Sequence, residues 1–171
     1  MSAEAIPAPL PNIEKQHFRR ICGRFASGIT IATVLDVTGR SHGMTANSFT
    51  SVSLVPPLIL FCVDHRSKLL ECFRQSNYFG INILHQRQRQ LSERFAGTGY
   101  DRFEGMEWYP GQTGVPLFPH SLATMECKQA DIVQAGDHDI VIGEVVHATC
   151  GDGEPLIYFG SQYRDLQVNG A

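Results

Sequence analysis

From residue 13 onward, Phe18, Ile21, Cys22 and Phe25 fall at i, i+3, i+4 and i+7, while Lys15, Arg19, Arg20 and Arg24 lie largely elsewhere. That spacing predicts an amphipathic helix ending near Ser27-Gly28. Residues 29–37 are rich in β-branched side chains and run through Thr38-Gly39-Arg40 into residues 41–49, which predicts two strands joined by a short turn. Residues 58–63, Leu-Ile-Leu-Phe-Cys-Val, form a continuous apolar strand whose start is marked by Pro56-Pro57. Residues 80–84, 123–132, 140–148 and 156–159 bring the total to six or seven short strands. Two more helices are predicted. One covers 67–75 with Ser67 as its cap; the other covers about 86–96, where Leu84, Leu91 and Phe95 keep a helical spacing and Gly97 stops it. Strands and helices do not alternate regularly, which favours a mainly β fold, a closed or sandwiched antiparallel barrel with flanking helices, over a doubly wound parallel sheet.

The chain has 171 residues, enough for one domain over 13–171, preceded by a proline-interrupted arm over 1–12. Lys plus Arg number 14 against 17 Asp plus Glu, a net charge of −3, so no basic stripe is available for nucleic acid. Apolar residues make up 43% and charged residues 18%, which points to a generous core or a buried interface. The five cysteines are widely spaced and lack any C-x-x-C pair, arguing against a disulfide framework and a zinc site. Residues 1–14 carry no Lys or Arg and are broken by three prolines, unlike a signal peptide, so a cytoplasmic location is expected. Residues 41–63 lack Asp, Glu, Lys and Arg but hold Asn47, Pro56, Pro57 and many hydroxyls, which suits a folded site better than a membrane span.

No G-x-G-x-x-G, Walker loop, H-E-x-x-H or G-x-S-x-G is present. Gly97-Thr98-Gly99 lacks the third glycine of a dinucleotide loop. Three segments carry candidate chemistry. In Gly43-Met44-Thr45-Ala46-Asn47-Ser48-Phe49-Thr50-Ser51-Val52-Ser53, small and hydroxylated residues would let backbone amides approach a planar polar ring or a phosphate; an ordinary Ser/Thr-rich strand and turn is the alternative. Asp64-His65-Arg66-Ser67-Lys68 offers a phosphate site at a helix start, or simply a solvated cap. Gly136-Asp137-His138-Asp139 sets a histidine in a glycine-led turn, where it could stack, hydrogen-bond or merely be exposed. Tyr158, Tyr163 and Arg164 could form a lid or pack on the body of the protein or on a second subunit.

In order and spacing, these segments resemble the short-chain flavin reductases that serve two-component flavin-dependent monooxygenases. The resemblance covers nearly all of 18–166. It rests on Phe25-Ala26-Ser27-Gly28-Ile29-Thr30, residues 43–53 with Pro56-Pro57-Leu58, Ser67-Lys68, Phe95-Ala96-Gly97 with Asp101-Arg102-Phe103, Gly136-Asp137-His138, and Pro155-Leu156-Ile157-Tyr158 with Tyr163-Arg164. Ser27, where the family usually has Thr or another small residue, is a minor departure. The resemblance implies a split β-barrel of Greek-key type that binds FAD or FMN at a homodimer interface, reduces it with NADH and releases it to a monooxygenase acting on an aromatic substrate. By matching position, Thr45, Ala46, Asn47 and Ser48 would lie along the flavin ring. Ser51, Val52, Ser53, Ser67 and Lys68 would hold ribityl and phosphate groups, with Cys62, Phe95 and Ala96 nearby. His138 would be the catalytic residue that meets the nicotinamide, with Tyr163 and Arg164 in the same pocket. The hydroxylase analogy favours FAD, and the lack of a basic cluster around His138 favours NADH over NADPH. Hydride transfer from nicotinamide to flavin is chemistry the cofactors already carry, so the protein's task is to stack the two rings at about 3–3.5 Å. A flavin-retaining electron carrier on the same fold and an oxidase of the pyridoxamine-phosphate type are the rivals. For the second, the chain offers only scattered arginines such as Arg87, Arg89, Arg94 and Arg102.

Overall fold

Strand residues far outnumber helical ones in the computed structural model, which describes residues 12–98 and 101–166. In chain order the elements are α1 (Lys15–Cys22), β1 (Ser27–Gly28), β2 (Thr30–Leu35), β3 (Ser41–Ala46), β4 (Thr50–Leu54), β5 (Pro57–Asp64), α2 (Leu70–Gln75) and β6 (Tyr78–Ile83). A 3-10 turn (Gln86–Gln88) then leads into α3 (Arg89–Ala96), followed by β7 (Tyr109–Pro110), β8 (Pro116–Leu117), β9 (Ala123–Ala135), β10 (His138–Cys150), β11 (Ile157–Phe159) and β12 (Gln162–Arg164). The expected arm over 1–12 lies outside the described residues except for Asn12, as do Gly99 and Tyr100.

The mainly β expectation holds, and closure into a barrel does not. Seven strands form one antiparallel sheet in the order β3-β2-β6-β9-β10-β5-β4, which leaves β3 and β4 as its two edges. The chain passes from one edge to the other through Asn47-Ser48-Phe49 alone. Ala46 and Thr50 are four Cα steps apart, at most about 14 Å, so the sheet must curl until its edges approach each other. They approach without pairing. The β4–β5 ladder shifts register around Val52 and begins at Thr50↔Leu60, so β4 does not reach Cys62; there the Cys62 amide donates to the Ser48 hydroxyl at 2.9 Å.

The core follows from period-two alternation along β5, where Ile59, Phe61 and Val63 are buried and the residues between them are not. Phe61 is fully buried, and its ring meets Phe73 of α2 at 5.2 Å and Phe79 of β6 at 5.4 Å, both edge-on. A second cluster gathers Phe95, Phe103 and Phe118 with Ile29, Ile31, Leu84 and Leu156. Gly43 makes this second cluster possible. A Cβ there would lie 2.9 Å from the Phe95 ring, so glycine is what lets α3 sit directly on β3.

Two helices depart from expectation. α2 begins at Leu70 rather than at Ser67, because residues 65–69 form a turn in which the Ser67 hydroxyl accepts the Leu69 amide at 3.3 Å. α1 ends at Cys22 rather than near Ser27-Gly28, which form β1, and none of its apolar stripe is buried: Phe18 is 56% exposed and Ile21 50%.

Glu126 on β9 is 1% exposed and organises the loop between β7 and β8. Its carboxylate accepts the Gln112 amide at 2.9 Å and both the amide and the hydroxyl of Thr113 at 2.6 Å. Burial pushes the carboxyl up, but the Thr113 hydroxyl and the two amides outweigh it and hold the group below its usual range. A depressed folded pKa gives stability that is present above the unfolded glutamate value, about 4.3, and lost as pH falls through the folded one. Glu126→Gln is therefore expected to cost about 1–3 kcal/mol at pH 7. In urea denaturation the gap to the parent protein should narrow below about pH 4.

Candidate functional site

The gap between the two sheet edges is built from small residues that keep backbone groups accessible. Thr45 and Ala46 are anchored: the Thr45 hydroxyl donates to the Ser92 carbonyl of α3 at 2.6 Å, and the Ala46 carbonyl accepts the Thr30 hydroxyl at 2.9 Å. Asn47 is exposed, and among the described residues its side-chain amide has no partner. Ser48 reaches across to Cys62, which is itself half-buried. On β4, Ser51 and Val52 face solvent at the register shift and Ser53 is half-buried.

Two residues beyond Cys62, β5 ends in a tight turn. The Asp64 carboxylate accepts the Arg66 amide at 2.8 Å and its guanidinium at 2.6 Å, which holds the carboxyl well below its usual range, while the Ser67 amide donates to the Asp64 carbonyl. Ser67 and Lys68 line a cleft of about 600 Å³, together with Arg40, Arg66, Arg102 and Phe103. Most of this positive charge is engaged. Arg66 is held by Asp64 and Arg40 by Asp101 at 2.7 Å, whereas Arg102 donates to the Gly43 carbonyl at 2.6 Å and to the Gly97 carbonyl. Arg102 thereby covers the free edge of β3, where carbonyls would otherwise lack partners. Lys68 is exposed and forms no ion pair among the described residues, which leaves its ammonium available to an anion.

His138 opens β10, directly after the two-residue turn Gly136-Asp137. Gly136 has φ +63° at the first central position, where a hairpin turn that follows the strand twist needs glycine. The His138 Nδ1–H donates to Asp137 at 2.7 Å, and that bond lowers the Asp137 carboxyl. His138 pairs in register with Asp64. The fold therefore brings Ser48, Cys62, the Ser67-Lys68 turn and His138 to one rim of the sheet.

The remaining candidates lie on the α3 side. Phe95 is 1% exposed and packs on Phe103 at 5.1 Å and Phe118 at 5.0 Å, so its ring supports the site from the core and does not line it; Ala96 beside it is exposed. The Tyr163 hydroxyl bonds Ser92 Oγ at 2.9 Å, with the Arg89 guanidinium 5.0 Å from its ring centroid and Tyr158 edge-on at 5.5 Å. Arg164 is exposed on β12. Among the described residues no hydrogen bond, ion pair or ring contact joins Tyr163 or Arg164 to His138. Of the cleft cations, Arg66 and Arg102 sit inside segments that already stood out in the sequence; Arg40 is a turn arginine with no local signal, brought in by the β2–β3 hairpin.

Comparison with known proteins places these features in a family. The flavin reductase like domain matches residues 22–167. The FMN reductase (NADH) SmoA of Agrobacterium fabrum is 37% identical over 166 residues, covering 94% of each chain. The flavin-dependent monooxygenase reductase subunit HsaB of Mycobacterium tuberculosis is 32% identical, covering 91% of this chain and 84% of its own. A longer Rhizobium meliloti flavin reductase is 45% identical over 123 residues, and the match spans only 40% of its length. Among solved structures, the NADH:FAD oxidoreductase SgcE6 of Streptomyces globisporus, in complex with NAD and FAD fragments, superposes with a TM-score of 0.88 at 33% identity, covering 96% of this chain and 100% of that one. With a family match over residues 22–167 and a relative such as SmoA aligned over 94% of each chain, this protein belongs to the flavin reductase-like domain family.

Proposed function

We propose that this protein is an NADH-dependent flavin reductase that takes FAD or FMN as a substrate and hands the reduced flavin to a partner monooxygenase acting on an aromatic compound. The observation that carries this reading is the shared rim: the Ser67-Lys68 turn ends the strand whose last residue, Asp64, pairs with His138. Residues suited to a flavin phosphate and to a nicotinamide thus stand on adjacent strand ends. The open sheet edge at Asn47 and Ser48 supplies polar groups for the edge of the flavin ring, and the rim as a whole is exposed enough for flavin to leave after each turnover. Flavin supplies the hydride-accepting chemistry, and NADH the hydride. The protein's part is binding and orientation: Lys68 and Ser67 take the phosphate, and His138, fixed by Asp137, bounds the nicotinamide face. Tyr163 and Arg164 complete that pocket in the proposed assembly.

That assembly is a homodimer, supported by the exposed apolar stripe of α1 and by Leu54 and Val55, which are 89% and 92% exposed at the β4–β5 turn. A cytoplasmic location is supported by the five cysteines, which are all unpaired. Among the described residues no helix is long and apolar enough to cross a membrane.

The test is anaerobic NADH oxidation with FAD, FMN or no added flavin. Turnover that requires added flavin supports the reading. A protein that keeps its flavin through gel filtration and oxidises no NADH overturns it in favour of an electron carrier. In the same assay Lys68→Ala should raise the flavin KM by roughly 3- to 10-fold at low salt, with the difference shrinking as salt rises, because the lost contact is an exposed charge on a phosphate.

A further inference from the structure

Asp139 presents a buried charge that flavin and NADH binding do not by themselves call for. It follows His138 on β10, and strand alternation sends its side chain to the opposite face, where it is 2% exposed. One carboxylate oxygen accepts His65 Nε2–H at 2.7 Å; the other accepts the Arg74 guanidinium of α2 at 2.9 and 2.7 Å. The His65 amide also donates to the Asp137 carbonyl at 3.0 Å. His65 therefore has two bonds to the hairpin that carries His138, and it lies two residues before Ser67. The charged neighbours of this cluster are Asp64 with Arg66, Asp137 with His138, and Glu71 at 3.8 Å from Arg74.

A buried ion cluster of this kind contributes little net stability compared with apolar side chains of the same volume, because desolvation offsets most of the attraction. What it does supply is fixed geometry. The two turns already flank the paired ends of β5 and β10; the His65 side chain adds a tie from one turn to the Asp139 carboxylate, and α2 holds the far side of that tie through Arg74.

We propose that His65, held by Asp139 and Arg74, is a positioning residue that couples the two substrate sites, making the affinity for flavin depend on whether nicotinamide is bound. This rests on the assignment of the Ser67-Lys68 turn to flavin and of His138 to nicotinamide. Seating flavin phosphate on Ser67 and Lys68 orders the turn, and through His65 the same order reaches Asp137 and His138. A ligand at either site then lowers the ordering cost of the other, and linkage makes the effect reciprocal.

The experiment is a fluorescence titration of FMN and of FAD against the full-length protein, with and without saturating NAD⁺, which binds without reducing the flavin. The ratio of the two dissociation constants is the coupling factor. In the parent protein it should be about 5 or more. His65→Ala should bring it below about 2 while leaving the flavin affinity measured without NAD⁺ within about threefold. His65→Gln, whose amide reaches about as far as Nε2, should restore most of the coupling. Thermal melting of each variant separates coupling from folding, since a merely structural His65 shifts the melting temperature and leaves the ratio alone. A ratio near 1 in the parent protein, or an undiminished ratio in His65→Ala, overturns the coupling role even where the parent oxidises NADH briskly with added flavin. A parent protein that oxidises no NADH with either flavin overturns the assignment of the sites, and the inference with it.

Discussion

His138→Ala is expected to lower kcat/KM for NADH by roughly 10- to 100-fold in anaerobic turnover with saturating flavin, while leaving flavin binding nearly unchanged. The factor follows from geometry. Hydride transfer needs the two rings at near-contact distance, and a displacement of about 1 Å is enough to cost on the order of 100-fold. His138 is suited to set that distance because it sits on a strand end rather than on a loop, and its ring is oriented by Asp137 at 2.7 Å. The Asp64 contact across the ladder fixes its backbone. A role as clamp predicts that His138→Gln or His138→Phe, which keep bulk without an imidazole, retain more activity than alanine. A role as proton donor predicts that all three are equally impaired. Stopped-flow measurement of flavin reduction at several NADH concentrations separates a lost binding contact from a slowed transfer step.

Phe61→Ala should destabilise the protein by about 3–5 kcal/mol, the usual cost of removing a fully buried aromatic ring from a core that cannot collapse around the void. Phe61 stands at the centre of an edge-on trio with Phe73 and Phe79, so its loss unseats α2 and β6 together. Because Phe61 precedes Cys62 by one residue and Asp64 by three, the damage should also reach the site. Urea denaturation checks the stability, and a rise in flavin KM larger than that of a surface control checks the connection.

Much of this arrangement was legible in the residues. The β-branched run before Thr38-Gly39-Arg40, the apolar run after Pro56-Pro57 and the glycine-led turn before His138 each became the predicted strand or turn, because local chemistry there agrees with the tertiary fold. The motif order was enough to indicate the family. What could not be read was long-range. β4 looks like a polar tail of β3, since Ser51, Val52 and Ser53 lack an apolar alternation, and only its pairing with β5 makes it a strand. Sheet closure depends on whether two edges separated by three residues hydrogen-bond, which no local pattern encodes. Phe95 reads equally well as a cofactor neighbour and as core, and the absence of a side chain at Gly43 decides for core. The Asp139 cluster was invisible for a similar reason: an aspartate after a turn histidine looks solvated until α2 delivers Arg74 to it.

The segment Asn47-Ser48-Phe49 also acts as a ruler. It joins the two edges of the slit, β3 and β4, in three residues, so its residue count limits how far those strand ends can separate. One added residue would widen the reach by about 3.5 Å, while the facing of β4 stays fixed by its register with β5. The aperture is thus set by these three residues, and length variation is less tolerable here than in an ordinary surface loop.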